Sequence, residues 1–274
     1  MGYKRDIYRC RGGIDVTEYH TLRDRPEWME RKPRRNATSE EMEKANLRSK
    51  TRNLQRLILN NFGRGDHWIT LTYDRDHRPE TMDEAKKDFR TFMTRLKRQC
   101  AKFGDNPKWI RNIEQGSKGG WHIHLLVADI PGMDLRRAVQ GIWQIAMGKG
   151  RIHDDPTYTE GGFRKLASYL AKSRKDVNGQ RMYSFSTSRN LSRPTKETKT
   201  LKRSQIMKNG CWKDPKIPKG YYLEKSSYEE WINPITGYPC RRYLMLKIPE
   251  EGRGRWSTAQ SIQNRSVGKS RLSR

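Results

Sequence analysis

The chain has 274 residues with a formal net charge of +27, from 58 Lys and Arg against 31 Asp and Glu, and such an excess fits a polyanionic partner, since basic groups on phosphates release condensed counterions. No apolar run approaches the roughly 20 residues that span a bilayer, and none follows the charged amino terminus, which argues against membrane insertion and export. The four cysteines, Cys10, Cys100, Cys211 and Cys240, lack CxxC spacing, so neither a zinc site nor a disulfide framework is expected and a cytoplasmic location is.

Residues 1–37 read as a basic, irregular segment punctuated by Gly12, Gly13 and Pro33. Thr38 and Glu41 have the spacing of a capping box, which predicts a helix to about Asn60 carrying Met42, Ala45, Leu54, Leu57 and Ile58. Residues 67–73 (HWITLTY) are β-branched and aromatic and predict a strand. A helix follows from Asp83 to about Phe103, its apolar residues recurring at helical spacing. Residues 108–115 and 121–127 (WHIHLLV) predict two strands joined by a glycine-rich turn. Another helix is expected over 134–147, with Leu135, Ala138, Val139, Ile142 and Ile145 facing inward. A short strand at 151–154, a helix over 160–174 (the third after the strand 67–73) and a strand over 181–187 complete, from residue 67 on, the order β-α-β-β-α-β-α-β. That order predicts an α+β domain, helices packed on an antiparallel sheet, over residues 38–194. Residues 195–250 read as a basic linker and a late hairpin (221–231 and 238–248). Residues 251–274 read as a disordered cationic tail, with no acidic residue after Gly252.

Two clusters carry chemistry. Alternation puts His122 and His124 on one face of a strand, and a turn centred on Lys118 sets Glu114 directly opposite His122. Cross-strand Cβ atoms stand only ~5 Å apart, so one carboxylate and two imidazoles converge, a donor set suited to Mn²⁺ or Mg²⁺. The bland alternative is a surface HxH pair beside a solvated glutamate. In the third helix Phe163, Leu166, Ala167 and Leu170 form the apolar stripe. Tyr169 lies on its flank, with Lys165 and Lys172 at helical spacing to favour the ionised phenol by opposite charge. Tyrosine can form covalent intermediates, although a tyrosine on a helix shoulder more often simply packs. Arg174, Lys175 and Arg189, with Lys165, are candidate contacts to the phosphates of a nucleic-acid backbone. Trp121 and Tyr73 are candidate stacking partners for exposed bases, against a core role.

Together and in this order, the clusters resemble the HUH endonuclease superfamily. His122, Ile123 and His124 match its histidine–hydrophobe–histidine motif, and Tyr169 to Lys172 (YLAK) resembles its tyrosine-lysine helix motif. Residues 69–73 (ITLTY) resemble the first strand of its replication initiators. Residues 61–66 (NFGRGD) and 184–191 (SFSTSRNL) are similar to stretches of the rolling-circle initiators of bacterial plasmids and integrative elements. The resemblance covers roughly residues 38–194. It implies a five-stranded antiparallel, ferredoxin-like palm and a metal held by His122, His124 and a third polar residue. It further implies attack by Tyr169 on a scissile phosphate of single-stranded origin DNA, giving a 5′-phosphotyrosine and a free 3′-hydroxyl. A host helicase and replication machinery are the implied partners. Ser173 stands where two-tyrosine initiators carry their second tyrosine, so a one-tyrosine enzyme is expected. An HUH transposase and a conjugative relaxase share this chemistry; a non-catalytic, basic nucleic-acid-binding protein is the alternative from another class.

Overall fold

A computed structural model of the chain describes residues 2–20, 38–116, 119–157, 160–172, 174–175, 181–182, 185–209, 211–233 and 238–249. The chain opens with a hairpin, β1 (Gly2–Cys10) and β2 (Gly13–His20), followed by α1 (Ser39–Asn61), β3 (His67–Thr72), α2 (Met82–Ala101), β4 (Trp109–Gln115), β5 (Trp121–Val127) and α3 (Leu135–Gln140). It continues through β6 (Ile152–Pro156), α4 (Arg164–Ala171), the two-residue strands β7 (Arg174–Lys175), β8 (Arg181–Met182) and β9 (Ser186–Thr187), and β10 (Thr195–Lys202). After α5 (Arg203–Ile206), β11 (Met207–Lys208) and β12 (Cys211–Trp212), it ends in a long hairpin, β13 (Tyr221–Ile232) and β14 (Pro239–Lys247). The architecture is α+β, as the element order predicts.

Two five-stranded antiparallel sheets dominate, ordered β6-β3-β5-β4-β9 and β10-β1-β2-β14-β13. The first is consistent with a ferredoxin-like palm. Alternation along its strands separates the faces. Ile69, Leu71, Ile113, Ile123, Leu125 and Val127 are all buried on one face, against Phe89, Phe92 and Leu96 of α2 and Leu135 and Val139 of α3. On the other face Ile110 and Leu126 join Leu54, Ile58 and Phe62 of α1 and Ala167 and Leu170 of α4. The same cluster takes in Cys10, Leu244 and Leu246 of the second sheet. Helices α1 and α4 are therefore sandwiched between the sheets, and α4 meets the first sheet on the face that carries His122 and His124.

The Thr38–Glu41 capping box forms as expected, but residues 39–49 of α1, including Met42 and Ala45, are exposed. The irregular segment expected at the amino terminus is corrected by β1 and β2, paired from Tyr3↔His20 to Cys10↔Gly13. The late hairpin forms as predicted and joins them, β14 lying beside β2 from Arg241↔Glu18 to Leu246↔Gly13. Ile145 is 82% exposed instead of buried. The helix widens to π geometry over Gly141–Ala146, which shifts the face, turning Trp143 inward at 0% exposure. The tail 251–274, Ser173 and the turn residues 117–118 lie outside the described residues, as do residues 183–184 of the predicted strand 181–187, whose ends are the separate strands β8 and β9. No described helix is long and apolar enough to cross a membrane.

Candidate active site

The predicted register holds: Glu114 lies opposite His122, and Asn112 opposite His124. On the other side of β5, β3 sets Thr72 opposite His122 and Thr70 opposite His124. One sheet face therefore carries Glu114, both histidines, Thr70, Thr72 and Trp68. Into this face α4 delivers Tyr169. Its hydroxyl donates to Glu114 Oε1 at 2.7 Å and stands 3.0 Å from His124 Nε2. His124 Nε2 is itself 2.9 Å from Glu114 Oε1. Tyr169, 55 and 45 residues along the chain from Glu114 and His124, thus meets both at one point. Helical packing puts them there: the Ala167–Leu170 stripe locks α4 onto the sheet, and Tyr169, one residue off it, reaches the polar face.

The shell around this triad is partly aromatic. Trp68 stacks on His124 with ring centres 5.7 Å apart and planes 8° apart, and meets Tyr169 edge-on at 6.1 Å. Thr70 Oγ1 lies 3.1 Å from His124 Nδ1. With Nε2 protonated, His124 donates to Glu114 while the Thr70 hydroxyl donates to Nδ1. With the proton on Nδ1, the same hydroxyl accepts it and Nε2 is a free lone pair. A hydroxyl serves both states because it is donor and acceptor at once. His122 sits apart, its ring centre 6.5 Å from that of His124. Burial, helped by His124 and Arg78 and opposed by Glu114, holds its imidazole below the ordinary value. Gly116 leaves the room His122 occupies: a Cβ there would stand 3.2 Å from Nε2.

As the side chains stand, no three His, Cys, Asp or Glu among the described residues form a ready metal cage, because Glu114 turns to His124 and Tyr169 rather than to His122. The donor set still fits a divalent cation with open positions. It comprises a buried carboxylate and two imidazoles on paired strands, and a Thr70 hydroxyl that frees Nε2.

Other expected residues fall elsewhere. Lys165 and Lys172 are exposed, Lys172 closing α4 through its backbone N–H to Ser168 O at 3.3 Å. The contacts found at the phenol are to Glu114 and His124, which helical spacing alone could not reveal. Arg189 is exposed just beyond β9, on a loop away from the triad. Arg174 and Lys175 form β7, and their side chains lie outside the described residues. Of the two roles weighed for Trp121 and Tyr73 the core role holds: at 5% and 7% exposure they fill the core on the helix face, and the stacking role is dropped. Trp68 and Thr70 went unnoticed in the sequence. The signal was the shared strand face, legible only once β3 is paired with β5.

The NFGRGD stretch is a structural clamp. Asp66 accepts from the backbone N–H groups of Gly63 at 2.7 Å and Asp129 at 2.8 Å, while Thr157 Oγ1 donates to Gly63 O at 2.7 Å. It ties the end of α1 to both neighbours of β3.

No curated protein and no solved structure matches the chain. Residues 66–174 match the model of a family described as replication-associated protein ORF2/G2P, a segment that holds Glu114, His122, His124, Tyr169 and the strands that bring them together, and the match supports a role for this chain in the initiation of replication.

Proposed function

We propose that the chain is a one-tyrosine HUH initiator that nicks and rejoins single-stranded origin DNA for rolling-circle replication. The observation that carries this reading is the meeting of the Tyr169 hydroxyl with Glu114 and His124 at 2.7 and 3.0 Å, in the segment similar to replication-associated proteins. Tyr169 is the nucleophile. Its proton leaves toward Glu114 Oε1, the acceptor it already faces, and its oxygen bonds to phosphorus as the bond to the 3′-oxygen breaks, that oxygen taking up one proton from solvent while the carboxyl returns one. The products are a 5′-phosphotyrosine and a 3′-hydroxyl able to prime synthesis. One phosphoester replaces another, so the reverse attack by a 3′-hydroxyl reseals the strand.

Glu114, His122 and His124 would hold Mn²⁺ or Mg²⁺, which when bound supplies charge against the scissile phosphate. Trp68 and Thr70 orient His124, and Arg78, beside His122, offers a cation to the same phosphate. Lys172 and Lys165, exposed on α4, are assigned the DNA backbone and the charge formed on reaction, and Arg174, Lys175 and Arg189 further backbone contacts. A host helicase is the natural partner, and the cytoplasm the compartment.

The test is to incubate the protein with a labelled origin-strand oligonucleotide and Mn²⁺ and look for an adduct that survives denaturant. Tyr169→Phe should abolish the adduct and the cut while leaving stability nearly unchanged. Cutting by Tyr169→Phe at the wild-type rate, or an adduct mapped to another tyrosine, refutes the assignment.

A further inference from the structure

On the face of the first sheet opposite Tyr169 lies an open cavity of about 580 Å³, lined among others by Lys97 of α2, Trp109 of β4, and Ser188, Arg189 and Asn190 beyond β9. Its walls are fixed. The Trp109 backbone N–H donates to Ser188 Oγ at 3.0 Å, and the Ser188 N–H returns a bond to Trp109 O at 2.9 Å. Asn190 Nδ2 donates to Asn106 O at 3.0 Å. The loop after β9 is thus latched to the start of β4, which keeps Arg189 beside the cavity that Lys97 of α2 also lines.

Beside the cavity stands a cation without a countercharge. Arg111 leaves the same face of β4 as Trp109, and both rest on Phe89. The guanidinium carbon is 4.9 Å from that ring centre, and the indole meets it edge-on at 5.1 Å. Among the described residues no carboxylate pairs with Arg111, and its Nε is buried with no hydrogen-bond partner. Burial, with Arg90 close by, pushes its guanidinium down to about 10. A buried cation facing another cation costs folding free energy unless something else supplies the anion.

We propose that this groove, lined by Lys97, Arg189 and Trp109 with Arg111 beside it, is a second nucleic-acid site that takes a phosphodiester segment of single-stranded DNA. The phosphates lie between Lys97, Arg189 and Arg111, and the Ser188 and Asn190 side chains face the sugar and base edges. At the edge of the sheet β9 covers only Ile110 and Arg111 of β4, so a strand can pass around it from one face to the other. Trp109 is five residues from Glu114, about 16 Å along the strand at ~3.3 Å per residue. The proposal rests on the chain's being a DNA-handling protein but not on cleavage at Tyr169.

Equilibrium binding separates the two. Anisotropy of a labelled single strand is followed through a salt series with the full chain in chelator, so that no cutting intervenes. The Lys97→Ala/Arg189→Ala double variant should bind on the order of tenfold more weakly. It should also lose about 1.4 from the salt slope, roughly 0.7 for each single-strand phosphate contact. A matched duplex is the second arm: loss with the duplex alone overturns the single-strand assignment, and an unchanged slope with both overturns the groove. Arg111→Met provides an independent readout. If Arg111 awaits a phosphate, the variant binds DNA more weakly while the melting temperature of the free protein stays level or rises. A fall in melting temperature with unchanged affinity makes Arg111 a packing residue and removes it from the site. Absence of an adduct in the wild type would end the nicking reading and leave these binding outcomes intact.

Discussion

Gly161 and Gly162 both adopt left-handed backbone, with φ of 64° and 57°, immediately before Phe163 at φ 60°. Their surroundings differ. A Cβ on Gly161 meets nothing within 4 Å, whereas one on Gly162 collides with Leu244 Cδ2 of the second sheet. Gly161→Ala should therefore cost only the left-handed strain, about 1 kcal/mol, and Gly162→Ala roughly 3 kcal/mol once overpacking is added. Since this turn aims α4, Gly162→Ala should also reduce adduct formation at temperatures where the protein stays folded. Equal melting temperatures for the two variants would mean that the close approach to β14 does not matter. Thr70 gives a second residue-scale prediction. Thr70→Val keeps the strand and its shape but removes the hydroxyl that serves both tautomers of His124. Nicking should fall on the order of tenfold and its Mn²⁺ midpoint should rise, in line with lost outer-sphere support, while stability falls by less than about 1.5 kcal/mol. Titrating Mn²⁺ against the nicking rate checks it; an unaltered midpoint and rate would leave Thr70 as strand filling only.

At the scale of elements, α4 must be helical and docked for Tyr169 to reach Glu114, and α1 is what it docks against. Gln55 Nε2 of α1 donates to Gly162 O at 2.9 Å, behind the turn that starts α4. Gln55→Leu should loosen that turn and also remove the bond that Gln55 Oε1 accepts from Arg242 Nη2 at 3.0 Å, costing about 2–3 kcal/mol for the two lost hydrogen bonds, one of them to a charged group, and slow adduct formation more than it weakens DNA binding. Affinity falling in step with rate would instead mean general unfolding. The β4–β5 ribbon is legible in the sequence because a glycine-rich turn and strict alternation leave one register in which Glu114 faces His122. The tyrosine helix is legible from its apolar stripe. What Tyr169 touches is not, because that depends on how α4 crosses the sheet. Helical neighbours such as Lys165 and Lys172 are the only partners spacing can offer. Likewise Trp68 and Thr70 become site residues through pairing of β3 with β5, across more than fifty intervening residues.

At the scale of the whole molecule, the chain ends supply the sheet on which α1 and α4 rest. The amino-terminal pair, β1 and β2, is hidden in the sequence because charged residues occupy inward positions and break the apolar alternation. Asp15 and Glu18 of β2 are 0% exposed, and Arg241 and Arg242 of β14 are 2% and 3% exposed. Arg241 pairs with Glu18. Asp15 receives Arg242 Nε and Nη2, each at 2.9 Å, and Arg56 Nε of α1 at 2.6 Å. This network stitches the amino-terminal hairpin, the carboxy-terminal hairpin and α1 together, three segments distant in sequence. Burial alone would raise the Asp15 carboxyl, but Arg242 and Arg56 outweigh it and hold it below the ordinary carboxylate value. The sign follows. A carboxylate depressed in the folded state stabilises fully above its unfolded value, near pH 4, and that stabilisation is lost as the pH falls through the folded value. Asp15→Asn keeps the shape but strands two guanidiniums, one of them Arg242 in the interior. At neutral pH it should cost about 3–5 kcal/mol, the usual penalty for removing one partner of a buried pair. Below the folded value the wild type has lost the same charge, so the two melting curves should converge on acidification. Because α4 leans on this sheet through Leu244 and Leu246, the variant should lose adduct formation at the same temperature at which it loses circular dichroism. Melting temperatures of both proteins from neutral pH into the acid range decide the matter. A constant gap between them would show that the Asp15 charge does not hold the sheet, and an adduct persisting after the variant's sheet signal has gone would show that Tyr169 is placed without it.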